Sequence, residues 1–169
     1  MAQHAQEWNS IPEDYGTPPN PGPGLSENML TGISLKDTKI NLKRNKQKVG
    51  EMEGAAVTFK LALLSPSPNM QEGSEWPVTY RIPLEPLDRF PEDGARNYYS
   101  RVIGQLKGAF KTILGSRATG DIAADIKLIQ SEIQQADAND AAITVQVETT
   151  QDGDFFRHIF RKRMDGTTS

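Results

Sequence analysis

Nine residues near the C-terminal end, FFRHIFRKR (155–163), hold three phenylalanines, four cations and one of the chain's two histidines. Cations track phosphates, and aromatic rings offer faces on which unpaired bases stack, so this mixture suits a grip on single-stranded nucleic acid. It equally suits a last β-strand whose polar face happens to be basic. A second cationic stretch runs from Lys36 to Lys48, where Lys36, Lys39, Lys43, Arg44, Lys46 and Lys48 stand with a single acid, Asp37. Arg101, Lys107 and Lys111 add charge to the polar side of a helical segment. One footprint requires these clusters to converge in space. The candidate phosphate contacts are Lys43, Arg44, Lys46, Arg157, Arg161 and Arg163. The candidate stacking platforms are Trp76, Phe155, Phe156 and Phe160, with Tyr80, Tyr98 and Tyr99 as further rings. Tyr80 and Phe160 also fit a strand core, and Trp76, between Glu75 and Pro77, also fits a lid over that core.

Catalytic chemistry finds little to work with. There is no cysteine, hence no thiolate nucleophile, thiolate ligand or disulfide. His4 and His158 are the only imidazoles, too few and too far apart for a zinc site, and no GxSxG surrounds a serine. Glu85, Asp88, Glu92 and Asp93 crowd the segment EPLDRFPEDG. Acids just before a helix more simply favour its dipole than hold magnesium. DGD at 152–154 reads as a turn, and GSRATGD lacks the spacing of a phosphate-cradling loop. The expectation is a protein that is not an enzyme and uses no cofactor or metal.

The elements that must position the cations and rings follow from periodicity. Residues 1–30 contain four acids, no Lys or Arg, and the run TPPNPGPG. Such a segment buries too little apolar surface to offset its ordering entropy and reads as an extended arm. Trp8, Ile11 and Tyr15 are spaced along it, so it is either a flexible tail or a peptide that docks on a partner. From Gly32, Ile33, Leu35, Ile40 and Leu42 alternate with cations, predicting a half-buried strand or a bulged pair of short ones. AAVTFKLALLS is a second strand with Val57, Phe59, Leu61 and Leu63 on one face. VTYRIPL is a third, confined to an edge or ended by Pro83. Val102, Leu106, Phe110 and Ile113 form one helical stripe ending at Gly115, a residue suited to the positive φ of a C-terminal cap. Ile122, Ile126, Ile129 and Ile133 mark a second helix. AAITVQVETT then alternates as a strand, Asp152-Gly153 is a hairpin signal, and FFRHIFRKR is the return arm. Strict alternation in that arm sets Phe156, His158 and Phe160 on one face and Phe155, Arg157, Ile159, Arg161 and Arg163 on the other.

A chain of 169 residues suits one domain. The expected fold class is α+β: a mainly antiparallel OB-like or small sheet with two helices, plus an extended N-terminal arm. The expected boundaries are an acidic Pro/Gly-rich arm over 1–31, one domain over 32–164 and a short tail over 165–169. Apolar runs such as 57–64 are too short for a membrane span, and residues 1–24 lack the basic start and apolar core of a secretory signal. The chain reads as cytoplasmic.

The paired strands, the loop carrying an aromatic, the helix ending KTILG and the final ITVQVETTQDGDFFRHIFRKR together resemble a family of small phage proteins. Their genes tend to lie in recombination and replication modules. The likeness covers roughly residues 32 to 163 and rests on order and texture. It implies single-stranded DNA binding through an OB-like sheet, with Phe155, Phe156, Arg157, Phe160, Arg161 and Arg163 of the last strand as the contacting residues. Beside single-stranded DNA, the partners left open are a protein engaged through residues 1–31 and a second copy of the chain. The alternative to DNA binding is a structural or assembly protein, such as a viral particle component whose arm docks on neighbouring subunits.

Overall fold

The computed structural model describes residues 18–165. The chain forms β1 (Gly24–Arg44), β2 (Gln47–Leu63), β3 (Glu75–Pro83), α1 (Asp93–Leu114), α2 (Ile122–Ala138), β4 (Ile143–Asp152) and β5 (Phe155–Arg163). All five strands join one antiparallel sheet in the order β3-β2-β1-β4-β5. Three hairpin-connected strands, with a fourth returning by a long connection to lie beside the first, make a Greek key. Here the long connection is the helix pair. The α+β class, the antiparallel sheet and the two helices are as the sequence predicts.

The N-terminal boundary of the domain shifts. β1 begins at Gly24, so residues 24–31 belong to the sheet and not to an arm. Just before it, Asn20, Pro21 and Gly22 are buried, and the Asn20 Oδ1 accepts a hydrogen bond from the Gly22 N–H at 2.8 Å. The expectations of an extended arm over residues 1–17 and of a tail over residues 166–169 lie outside the described residues.

β1 is long because it serves two partners. Its residues Gly24–Leu30 pair with β4, whereas Asn28–Arg44 pair with β2. The register with β2 shifts between Leu30 and Gly32, which bends the strand where it leaves β4. The curl that results carries the two outer strands towards each other. The Tyr80 hydroxyl on β3 donates to the His158 carbonyl on β5 at 2.6 Å. α1 packs against both β3 and β5 with Leu106, Ala109, Phe110 and Ile113 buried. α2 lies on β1, its Ile126, Ile129 and Ile133 buried and its Gln130 amide bonded to the Ile33 carbonyl. Phe59 sits at the centre of the main core, with Tyr80, Phe110 and Phe160 rings at 6.0, 6.1 and 4.7 Å. A smaller second core of Ile40, Leu42, Met52 and Phe90 fastens the far end of the β1–β2 hairpin to the start of α1, where Tyr99 stacks on Phe90 at 4.9 Å.

Glycines mark where this packing is tightest and where it is not. A Cβ on Gly54 of β2 would meet Ile40 Cδ1 at 2.8 Å and the Ile82 carbonyl oxygen at 3.0 Å. Gly104 and Gly108 have the spacing that would admit a close backbone approach, yet a Cβ on either would meet nothing within 4 Å. They are exposed helix residues that only lower propensity. Gly54→Ala is therefore expected to cost about 1–3 kcal/mol through overpacking. Gly104→Ala is expected to stabilise by about 0.5–1 kcal/mol. Urea midpoints of the two variants, moving in opposite directions from the parent, check both.

Candidate nucleic-acid interface

Two tight hairpins carry the cationic and aromatic stretches. The β1–β2 turn places Asn45 and Lys46 at φ 52° and 66°, the primed turn geometry that matches strand twist. Lys43 pairs with Lys48 and Arg44 with Gln47 beside it. The β4–β5 turn has Gly153 at φ 62° and pairs Asp152 with Phe155. The Asp-Gly signal in the sequence thus sets the register of the last strand.

Between these hairpins lies a groove in two adjoining halves. One half encloses about 680 Å³ between β3, the start of α1 and the β4–β5 hairpin. Its walls include Tyr98, Arg101, Phe155, Phe156 and Arg157. The other half runs along the β1–β2 hairpin and is lined by Lys39, Lys43, Lys46 and Tyr99. Pro18, Thr79 and Arg81 line both halves. Counting the two walls together gives six cations, Lys39, Lys43, Lys46, Arg81, Arg101 and Arg157, against the carboxylates Asp152 and Glu92. Lys39 is tied to Glu53 by an ion pair. Lys43, Arg44, Lys46, Arg101 and Arg157 have no carboxylate partner among the described residues.

The rings differ sharply in availability. Phe155 is 80% exposed and Tyr98 53% exposed. Phe156 is half-buried in the groove wall. Trp76, by contrast, is 1% exposed, and its indole N–H donates to Asn28 Oδ1 at 2.8 Å. It belongs to the core and offers no face to a base. Phe160 is likewise core, packed on Phe59. These two candidate platforms are thereby corrected to structural residues.

Arg163 is a third correction. The pairing of β5 with β4 shifts between Gln146 and Val147, so that Phe160 opposes Val147 and Arg163 opposes Val145. This extra residue turns Arg163 from the outer face, where strict alternation places it, to the inner one. There its side chain is 7% exposed and forms hydrogen bonds to Asp165, Glu132 and the Ile113 carbonyl. Removing it would leave the half-buried Asp165 and Glu132 without this partner, which makes it a fastener between β5, α1 and α2. Arg161 stays on the surface, paired with Glu148 at 2.5 Å, and does not line the groove. The structure adds Arg81, which sequence reasoning leaves out, and places Arg101 and Tyr98, a further cation and a further ring in the sequence, in the groove wall. The alternation in VTYRIPL carries the signal for Arg81, since Val78, Tyr80 and Ile82 are buried and Thr79 and Arg81 face the other way.

The groove floor is neutral at one end. His158 contributes to its wall, yet its imidazole lies against the edge of Trp76 at 5.1 Å, and Nδ1 is 2.9 Å from the hydroxyl of the buried Thr149. Burial lowers its pKa to about 4. His158 therefore adds no positive charge at neutral pH. Among the described residues, no three His, Asp or Glu side chains gather closely enough to hold a metal ion. No helix among them is long and apolar enough to cross a membrane. No protein-family model matches the chain, and no curated protein matches it either, so neither bears on the likeness to small phage proteins.

The His158 environment gives a pH signature. Its folded pKa lies below the ordinary value, so the unfolded chain binds the proton first as pH falls. The stability that the neutral ring contributes is complete above pH 6.5 and is lost between there and about 4. The loss amounts to roughly 3 kcal/mol at the acid end. Urea midpoints at pH 7.5 and 5 are expected to fall further apart in the parent than in His158→Asn, which keeps a polar group beside Thr149 and does not titrate. Equal differences for the two proteins would show that the ring does not control this window.

Proposed function

We propose that this protein binds single-stranded DNA without sequence preference, in the groove between the β1–β2 and β4–β5 hairpins, and catalyses no reaction. One observation carries the reading: Lys39, Lys43 and Lys46 of one cationic stretch and Arg157 of the other, far apart in the chain, line a single groove, which also presents exposed rings. Five-stranded Greek-key sheets that curl into partly open barrels take oligonucleotides on the face of strands 2 and 3, between the loops joining strands 1–2 and 4–5. Here Thr79 and Arg81 of β3 form the floor and the two hairpins form the walls.

In this reading, Lys43, Lys46, Arg101 and Arg157 meet phosphates, and Arg44 stands beside them at the hairpin tip. Phe155, Phe156 and Tyr98 stack on bases, which requires the bases to be unpaired. The reading calls on no contact to base edges, so affinity is electrostatic and stacking in origin. A place in a phage-type replication or recombination system, in the host cytoplasm, rests on the sequence resemblance alone.

The test is a fluorescence titration of the protein into labelled oligo-dT at low and moderate salt. Affinity is expected to fall steeply with salt. Replacing Lys43 and Lys46 together by Ala is expected to flatten the log–log salt slope by about 1.4, two phosphate contacts at roughly 0.7 each. Phe155→Ala is expected to weaken binding by about 1–3 kcal/mol with little change in that slope. Absence of binding at low salt would sink the reading and leave a structural or assembly role as the next to examine.

A further inference from the structure

We propose that residues 1–17 of the chain dock in this same groove and compete there with nucleic acid. The inference rests on the groove being the binding site proposed above, and it adds a built-in regulator of that site. Its first support is where the segment joins the body. Pro18, the first described residue, lines both halves of the groove, beside Thr79 and Arg81. Immediately after it the chain is buried at Asn20, Pro21 and Gly22 and then enters β1. The segment that precedes Pro18 is thus tethered at the groove.

The second support is charge. Residues 1–17 contain Glu7, Glu13 and Asp14 and no Lys or Arg. In the groove walls, Lys43, Lys46, Arg101 and Arg157 have no carboxylate partner among the described residues. Opposite charges a few ångströms apart at a partly shielded surface attract appreciably, and the attraction is screened by salt. The third support is side-chain type. Trp8, Ile11 and Tyr15 present flat or apolar surface of the kind that bases would present to Tyr98, Phe155 and Phe156. Carboxylates and rings in alternation therefore imitate phosphates and bases.

Reach and tethering favour the contact. A fully extended segment of this length covers at most about 55–60 Å, enough to follow the groove from Pro18 in either direction. A short tether gives an effective concentration on the order of millimolar, so a segment of weak intrinsic affinity fills the site. If the segment holds the groove nine-tenths of the time, the apparent affinity for DNA drops about tenfold. Nucleic acid displaces it because a longer ligand makes more phosphate contacts than three carboxylates can replace.

The experiment uses the whole chain. It has no cysteine, so Ser10→Cys supplies one attachment point for a nitroxide label, and paramagnetic broadening of backbone amide signals reports what the segment touches. In parallel, the triple variant Glu7→Gln, Glu13→Gln, Asp14→Asn is titrated into labelled oligo-dT beside the parent. The expected result is broadening at Arg81, Tyr98 and Phe155 that is relieved by oligo-dT, and oligo-dT binding about tenfold tighter for the triple variant. Broadening at those residues with no oligo-dT binding by either protein would uphold the docking and overturn the DNA reading of the groove. Groove signals left unbroadened, or equal oligo-dT affinities where both proteins bind it, would overturn the docking and leave the DNA reading standing.

Discussion

The ring of Phe59 touches one ring from each of the three elements that must meet for the sheet to curl: Tyr80 on β3, Phe110 on α1 and Phe160 on β5. Burying side chains of this size contributes about 1.5–3 kcal/mol each, and edge-to-face pairs add somewhat more. A flat antiparallel sheet in this strand order would leave β3 and β5 at opposite ends. The aromatic cluster draws them to one side, and the Tyr80 hydroxyl bond to the His158 carbonyl closes the remaining gap. The groove follows from that approach. The wall from β5, the floor from β3 and the helix start from α1 are neighbours only in the curled state.

A second consequence of the curl is a polar band inside the sheet. Asn28, Trp76, Thr149 and His158 occupy positions where aliphatic side chains would pack with fewer conditions attached. Each is satisfied by another member or by the adjacent Ser26, so the band costs little stability. It also fixes register, because a slip of one residue would leave a buried amide or indole N–H without a partner. The groove is therefore built on a floor that resists sliding. The second small core at the β1–β2 hairpin does the same for the basic wall, since Leu42 and Met52 hold the strands to Phe90 and Tyr99.

Local pattern makes most of the elements legible, and nonlocal partners hide the rest. The stripe from Val102 to Ile113, the Ile ladder of α2 and the alternation in β4 each announce themselves within a few residues. The cap at Gly115 and the turn at Gly153 have the positive φ that their sequence contexts require. The first residues of β1 are hidden because an inward position is held by Asn28, and an asparagine breaks the apolar alternation unless its partner, Trp76, is known. Trp76 is ambiguous for the same reason, seen from the other side. Alternation puts Arg163 on the wrong face because a single extra residue in the pairing of β5 leaves no mark in composition. Of the site, the cations and Phe155 are visible one by one. Their meeting across the groove is not, because it depends on the Phe59 cluster and on the bend of β1 after Leu30.

The split loyalty of β1 has a cost beyond the groove. Past Leu30 the strand pairs with β2 alone, so from Ile33 to Arg44 its other backbone edge has no strand beside it among the described residues. A long open edge is a template for pairing with another chain, and charged side chains, lysine above all, are a common means of discouraging that. Lys36, Asp37, Lys39, Lys43 and Arg44 occupy this stretch, and the Gln130 amide covers the carbonyl of Ile33. Lysines at such positions oppose edge-to-edge pairing with a second copy. Lys39 and Lys43 belong both to this edge and to the groove wall, so a change at either alters edge protection and groove charge together.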